Sequence, residues 1–192
     1  KHPSHRKHSA ATVDNGGLLD YTYGVEIECL HRSNSHIKHD VVDKLTAEGV
    51  IISIQSYNHT DSATSWKIVS DGSISGQYTF EIVSPILKGE EGMEQIRKVC
   101  KVLNELGCVV NKSCGLHVHH QASDLSANRI ATVFKMYRRN ELLLDSLMPT
   151  SRKANNNTYC HSLKNRSYSE WQESRYFKLN YCSYARHNTI EF

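Results

Sequence analysis

The stretch Tyr21-Thr-Tyr-Gly-Val-Glu-Ile-Glu-Cys29 alternates in a way that decides how the chain is read. Successive side chains of a strand point to opposite faces. Val25 and Ile27 therefore share one face, suited to burial, and Glu26 and Glu28 share the other. Two carboxylates side by side repel unless solvent or a cation separates them. A strand with a solvated polar face and a strand facing a cation both satisfy this pattern. Working outward, the pattern recurs. Phe80-Glu-Ile-Val83 sets Glu81 between apolar neighbours, and Thr189-Ile-Glu-Phe192 does the same with Glu191. Gly115-Leu-His-Val-His-His120 places His117 and His119 on one face, with Leu116, Val118 and His120 opposite. A paired imidazole face suits a metal or a phosphate, or a pair of structural histidines. Four strands each deliver an acid or an imidazole to a sheet face.

Several carboxylates with one or two imidazoles and no thiolate pattern favour Mg²⁺ or Mn²⁺. Zinc sites use more nitrogen and sulfur ligands. A zinc-dependent hydrolase built on His117, His119 or His120 with a glutamate base is an alternative, although no His-Glu-x-x-His helix supports it. Divalent ions on such a face bridge phosphate oxygens. Arginines are then needed against the phosphoryl charge, and Arg152, Arg175 and Arg186 in the polar C-terminal third are the candidates.

The rest of the chain frames these strands. Asp40 reads as the N-cap of a short helix with Val41, Val42 and Leu45 on one face and Gly49 as its stop. Val50–Ile54, Trp66–Val69, Gln77–Val83 and Cys108–Val110 read as further strands, and 57–65 as a loop. Met93, Ile96, Val99, Leu103 and Leu106 predict a helix over 90–106. Ile130, Val133, Phe134, Tyr137, Leu144 and Leu147 predict a long helix over 126–148. Residues 149–174 are polar and read as a loop, and Tyr176–Leu179 and Asn188–Phe192 as closing strands. Strands not regularly interleaved with helices favour an α+β fold with a mainly antiparallel sheet and helices packed on one face.

The 192 residues carry 23 basic and 20 acidic side chains, and Lys1, Arg6 and Lys7 supply the excess. The body is not a nucleic-acid-type basic domain. Residues 1–20 read as a flexible basic arm that could dock a partner or a second copy. No apolar run approaches the ~20 residues of a membrane helix, and the first residues lack a secretory apolar region. Six cysteines without a Cys-x-x-Cys pair read as reduced thiols of a cytoplasmic protein.

Taken in order, Tyr23-Gly-Val-Glu-Ile-Glu28, Asp71-Gly-Ser73, Phe80-Glu-Ile-Val-Ser-Pro85, Cys114-Gly-Leu-His-Val-His119, Arg175-Tyr-Phe-Lys-Leu-Asn180 and Thr189-Ile-Glu-Phe192 resemble the amidoligase family. That family belongs to the carboxylate–amine ligase superfamily, related to glutamine synthetase and glutamate–cysteine ligase. The resemblance implies a curved glutamine-synthetase-like sheet binding ATP and Mg²⁺, and a reaction that joins a small-molecule or peptide carboxylate to an amine through an acyl phosphate. It implies Glu28 and Glu81 at one metal, and Glu26, His117 and Glu191 at another. It implies Asp71 near the acceptor site or as a further ligand, Arg152, Arg175 and Arg186 as catalytic phosphate or carboxylate binders, and His119 beside Arg175 and Arg186 at the nucleotide. Where the family's last strand runs Glu-Phe-Arg and continues, this sequence ends at Phe192. Residues 21–192 thus read as a domain short of its usual C-terminal portion, which leaves a catalytically degenerate binding protein of the same fold as the other alternative.

Overall fold

Strand β1 (Thr22–Leu30) is the hub of a seven-stranded sheet, as its alternation requires. The computed structural model describes residues 20–56 and 64–192. The predicted arm therefore lies almost wholly outside the described residues, as does most of the predicted 57–65 loop. β1 pairs antiparallel with β4 (Thr79–Val83) on one side and β6 (Leu116–Gln121) on the other. Outside β4 lie β3 (Trp66–Val69) and β2 (Ile52–Ile54), and outside β6 lies β7 (Thr189–Glu191). β2 and β3 run parallel, so the sheet is mixed, while the other pairings are antiparallel. A two-residue strand β5 (Leu87–Lys88) pairs with the start of β1. It follows a break at Pro85, which has no N–H to give to a ladder. There the Ser84 hydroxyl accepts the Val25 N–H, at 2.9 Å.

The face carrying Val25 and Cys29 is the core face. Helices α1 (Ile37–Ala47) and α2 (Gly89–Glu105) supply Ile37, Val41, Leu45, Val99, Val102 and Leu103 against Trp66, Ile68, Phe80 and Ile82 of the strands. α1 starts earlier than its sequence suggests. Its N-cap is His36, and Asp40 sits in the first turn, where its carboxylate accepts a 2.6 Å bond from the Asn34 amide. Gly49 follows the helix at φ +81°, the left-handed geometry that stops it. In α2 the buried stripe runs Gly92, Val99, Val102 and Leu103, and Met93 is exposed.

A second apolar cluster joins α3 (Ala127–Ser146) to the C-terminal third. Ile130 and Phe134 pack with Leu163, Trp171, Phe177, Leu179 and Ile190. Phe134 stacks on Trp171 at 5.0 Å between ring centroids. Leu147, expected inward, is exposed, because Glu141 and Asp145 occupy the inward positions of the last turns. Lys178 lies between those carboxylates, its Nζ 3.1 Å from Glu141 and 2.6 Å from Asp145. The remaining oxygens accept the Leu163 and Ala154 N–H groups, so the buried charges are fully paired.

Residues 149–174 are not simply loop. They hold a 3₁₀ turn (Thr150–Arg152) and helix α4 (Tyr168–Glu173), which opens on a capping box between Ser167 and Glu170 and buries Trp171. Residues 176–179 and 108–110 make isolated bridges rather than strands, Phe177 with His161 and Val109 with Leu30. Helix α5 (Cys182–His187) ends at Asn188 in the left-handed conformation and turns directly into β7. Among the described residues, no helix is long and apolar enough to cross a membrane.

Candidate active site

The register aligns the chemistry-bearing residues in rows on the face opposite Val25. One row crosses β3, β4 and β1 as Val69, Glu81 and Glu28. The next crosses five strands as Ser53, Lys67, Val83, Glu26 and His117. A third runs Gly24, His119 and Glu191, and is extended by Asn180, which bridges to Glu191. Direct cross-strand neighbours stand about 4.5–5.5 Å apart at Cβ, so the polar groups of adjacent rows form one surface.

Two donor groups result. In the first, oxygens of Glu28, Asp71 and Glu81 lie within 4.8 Å of one another. Glu28 and Glu81 are buried, at 6% and 8% exposure. Asp71 enters from the turn after β3, where its other role is to accept the Ser73 N–H at 2.7 Å. Glu28 is aimed by backbone, because Gly115 donates its N–H to Oε2 at 2.6 Å. A side chain at Gly115 would bring its Cβ within 2.6 Å of His117 Nε2, so glycine is what lets the loop and the imidazole share this corner.

In the second group His117 Nδ1 lies 2.7 Å from Glu191 and 3.7 Å from Glu26, while its Nε2 lies 3.7 Å from Glu28. His117 thus stands between the two groups. His119 Nε2 is 3.5 Å from Glu26 and 3.9 Å from Glu191, and its Nδ1 meets the Thr189 hydroxyl at 3.0 Å. The Asn180 amide donates to Glu191 at 2.7 Å.

The electrostatics follow from five carboxylates sharing a partly dry surface. Burial, then the charges of Glu26, Glu28 and Asp71, push the Glu81 carboxyl up to about 8. Burial opposes charge on His117 as well, but the Glu191 hydrogen bond and the charges of Glu191, Glu26 and Glu28 outweigh it and raise the imidazole to about 9. Burial likewise disfavours ionised Glu26 and Glu191. Their imidazole partners, His119 for Glu26 and His117 for Glu191, prevail and hold both below the ordinary carboxylate range. In the second group the carboxylates are met by imidazole partners, whereas the first holds a proton where a cation would fit. An all-oxygen set suits Mg²⁺ or Mn²⁺, and a set of two carboxylates with imidazole suits Mn²⁺ as well. The residues present fit divalent cations.

Among the described residues, none of the three candidate arginines hydrogen-bonds to or pairs with the carboxylates of the face. The Arg152 guanidinium donates to the carbonyls of Lys112 at 3.0 Å and Cys114 at 2.6 Å, tethering the loop that carries Gly115. Arg175 is exposed and stacks over Tyr176, and Arg186 is exposed in the last turn of α5. Sequence reasoning did not single out Thr189 and Asn180 as site residues. The signal for Thr189 was available in its strand, where it shares the face of Glu191, whereas Asn180 arrives through an isolated bridge.

A family model described as "Putative amidoligase enzyme" matches residues 19–189. The chain belongs to the amidoligase family. Membership makes it an enzyme of ligase type, and the six sequence segments that carry the resemblance all fall within or at the edge of the matched span. The chain matches no curated protein and no solved structure significantly.

Proposed function

We propose that this amidoligase-family chain is an ATP- and Mg²⁺-dependent carboxylate–amine ligase, working on a glutamine-synthetase-like sheet in the cytoplasm. The observation that carries this reading is the pair of adjacent donor groups, Glu28–Asp71–Glu81 and Glu26–His117–His119–Glu191, on one open sheet face. Bound divalent cations would supply charge neutralisation for the oxygens of a transferring phosphoryl group. Glu28, Glu81 and Asp71 would hold one, and Glu26, Glu191 and His117 another. The chain's own residues set the geometry. Gly115 orients Glu28, Asn180 orients Glu191, and Thr189 orients His119 toward the same carboxylates. The substrate carboxylate attacks the γ-phosphorus of ATP and releases ADP. The amine then attacks the acyl phosphate and displaces inorganic phosphate. The acidic face favours approach of the amine as its ammonium ion, which would give up a proton to a carboxylate of this face before the free amine attacks.

Native mass spectrometry with Mg²⁺ and ATP, followed by an ADP-release screen of paired acids and amines, tests the reading. Nucleotide adducts carrying Mg²⁺ are expected, and Glu28→Gln and Glu81→Gln should abolish turnover with the fold intact. Absence of any nucleotide adduct refutes the ligase reading, and full turnover in both variants refutes the site.

A further inference from the structure

One cation on the functional face has no counterpart in the acid–imidazole network. Lys67 lies on β3 between Trp66 and Ile68, both of which are buried in the core. The period of the strand therefore turns Lys67 to the opposite face, and its register confirms the placement: it pairs with Val83, which pairs with Glu26, which pairs with His117. Its neighbour on the outer side is Ser53 of β2. The next β2-side residue on this face is Gln55, which continues the ladder through its N–H to Ile68 and donates its side-chain amide to the Ser53 hydroxyl at 3.1 Å.

Lys67 is half-buried, yet among the described residues it makes neither a hydrogen bond nor an ion pair. Lys112, Lys135, Lys153 and Lys164 are likewise unpaired among the described residues, and what sets Lys67 apart is its place in the row of Glu26 and His117. Its stem is partly covered while its ammonium stays open to solvent, so the charge is free to meet an incoming anion. Glu81, the nearest acid in register, is diagonal to it and is directed toward Glu28 and Asp71 instead. Only the apolar Val83 separates Lys67 from Glu26 along the row. At about 4.8 Å between strands, an anion over Val83 meets the ammonium on one side and the cation-binding carboxylates on the other.

We propose that Lys67, supported by Ser53 and Gln55, is the anion-binding end of this face and receives the phosphate chain of a nucleoside di- or triphosphate. The inference rests on the ligase reading and adds to it the group that meets the phosphate, a role lysine fills as a point charge. Arg152, whose guanidinium is committed to backbone carbonyls, does not compete for this role. Because five carboxylates repel an anion, Lys67 acts only when divalent cations are present.

The test measures the anisotropy of N-methylanthraniloyl-ADP in excess Mg²⁺, alongside Mn²⁺ binding without nucleotide. Wild type, Lys67→Gln, Lys67→Arg and Glu28→Gln are compared. Lys67→Gln should bind the nucleotide at least about tenfold more weakly with Mn²⁺ affinity unchanged, Lys67→Arg should recover most of the loss, and Glu28→Gln should lose both. Wild-type nucleotide affinity in Lys67→Gln overturns the role of Lys67 and leaves the ligase reading standing. Parallel loss of Mn²⁺ and nucleotide in Lys67→Gln also overturns it, by showing a structural effect. Failure of the wild type to bind Mn²⁺ overturns the ligase reading and this inference together.

Discussion

Replacing Glu81 by glutamine should stabilise the metal-free protein while disabling its site. The folded carboxyl keeps its proton to about 8, against an ordinary 4.5, chiefly through burial and then through Glu26, Glu28 and Asp71. Folding therefore takes up a proton between those values. The stability associated with the protonated group is complete below pH 4.5 and is lost as the pH rises through 8. At about 1.36 kcal/mol per pH unit, the loss is on the order of 5 kcal/mol above pH 8, of which about 3 is gone by pH 7. His117, raised to about 9, acts in the same direction, contributing below its ordinary 6.5 and fading as the pH passes 9. Urea denaturation in EDTA, followed through the buried indoles of Trp66 and Trp171, reads the effect directly. Between pH 5 and pH 9 the wild type should lose several kcal/mol more than Glu81→Gln, and the two should nearly coincide at pH 5. Saturating Mg²⁺ should restore the wild type alone, by about 2.7 kcal/mol at a hundredfold excess over Kd. Parallel pH profiles for the two proteins would refute the reasoning, because they would mean that neither burial nor the neighbouring acids hold a proton on Glu81 in the folded state.

Other consequences are simpler. Lys178→Met leaves Glu141 and Asp145 buried without their cation and should cost about 3–5 kcal/mol in chemical denaturation. Gly115→Ala forces a Cβ onto His117 Nε2 and should lower Mn²⁺ affinity about 10–100-fold by calorimetry, with the melting temperature little changed. Ser167→Ala removes the hydroxyl that accepts the Glu170 N–H, leaving the backbone half of the α4 capping box in place, and should cost about 1 kcal/mol, read by urea titration.

How much of this was legible depends on where the determining contacts lie. β1 could be read because its alternation is local, and Val25 and Glu26 need no distant residue to choose their faces. The acids and imidazoles of the four strands could be placed on faces for the same reason. α3 was readable through Tyr137 and then misled, because Glu141 and Asp145 turn inward only by virtue of Lys178, more than thirty residues on. A window that sees two acids and several leucines assigns Leu147 to the core. The α4 helix was hidden by its polarity and six-residue length, although Ser167, Glu170 and Trp171 mark its start and its anchor. The parallel pairing of β2 and β3 is set by contacts between the two strands, and no local pattern in either announces its direction. Asn180 reaches the site through a single bridge to Glu191, which no periodicity announces.

The two donor groups differ in how they bear their charge, and this difference has a measurable sign. Glu26 and Glu191 are ionised with imidazole and amide partners, so their carboxylates favour the folded state once the pH exceeds the ordinary carboxylate value, and that contribution is lost as the pH falls through their lowered values. Glu81 has no cationic side chain of comparable closeness and faces other acids. Glutamine at Glu26 or Glu191 should therefore destabilise the metal-free protein near neutral pH, by about 1 kcal/mol each as a charge-assisted hydrogen bond is weakened, while glutamine at Glu81 stabilises it. All three should weaken Mn²⁺ binding. The opposite signs follow only if the face is divided into a group whose carboxylates have imidazole partners and a group that waits for a cation. A common sign across the three variants in EDTA would show instead that the carboxylates act as one undivided field, and the assignment of separate cation positions would fall with it.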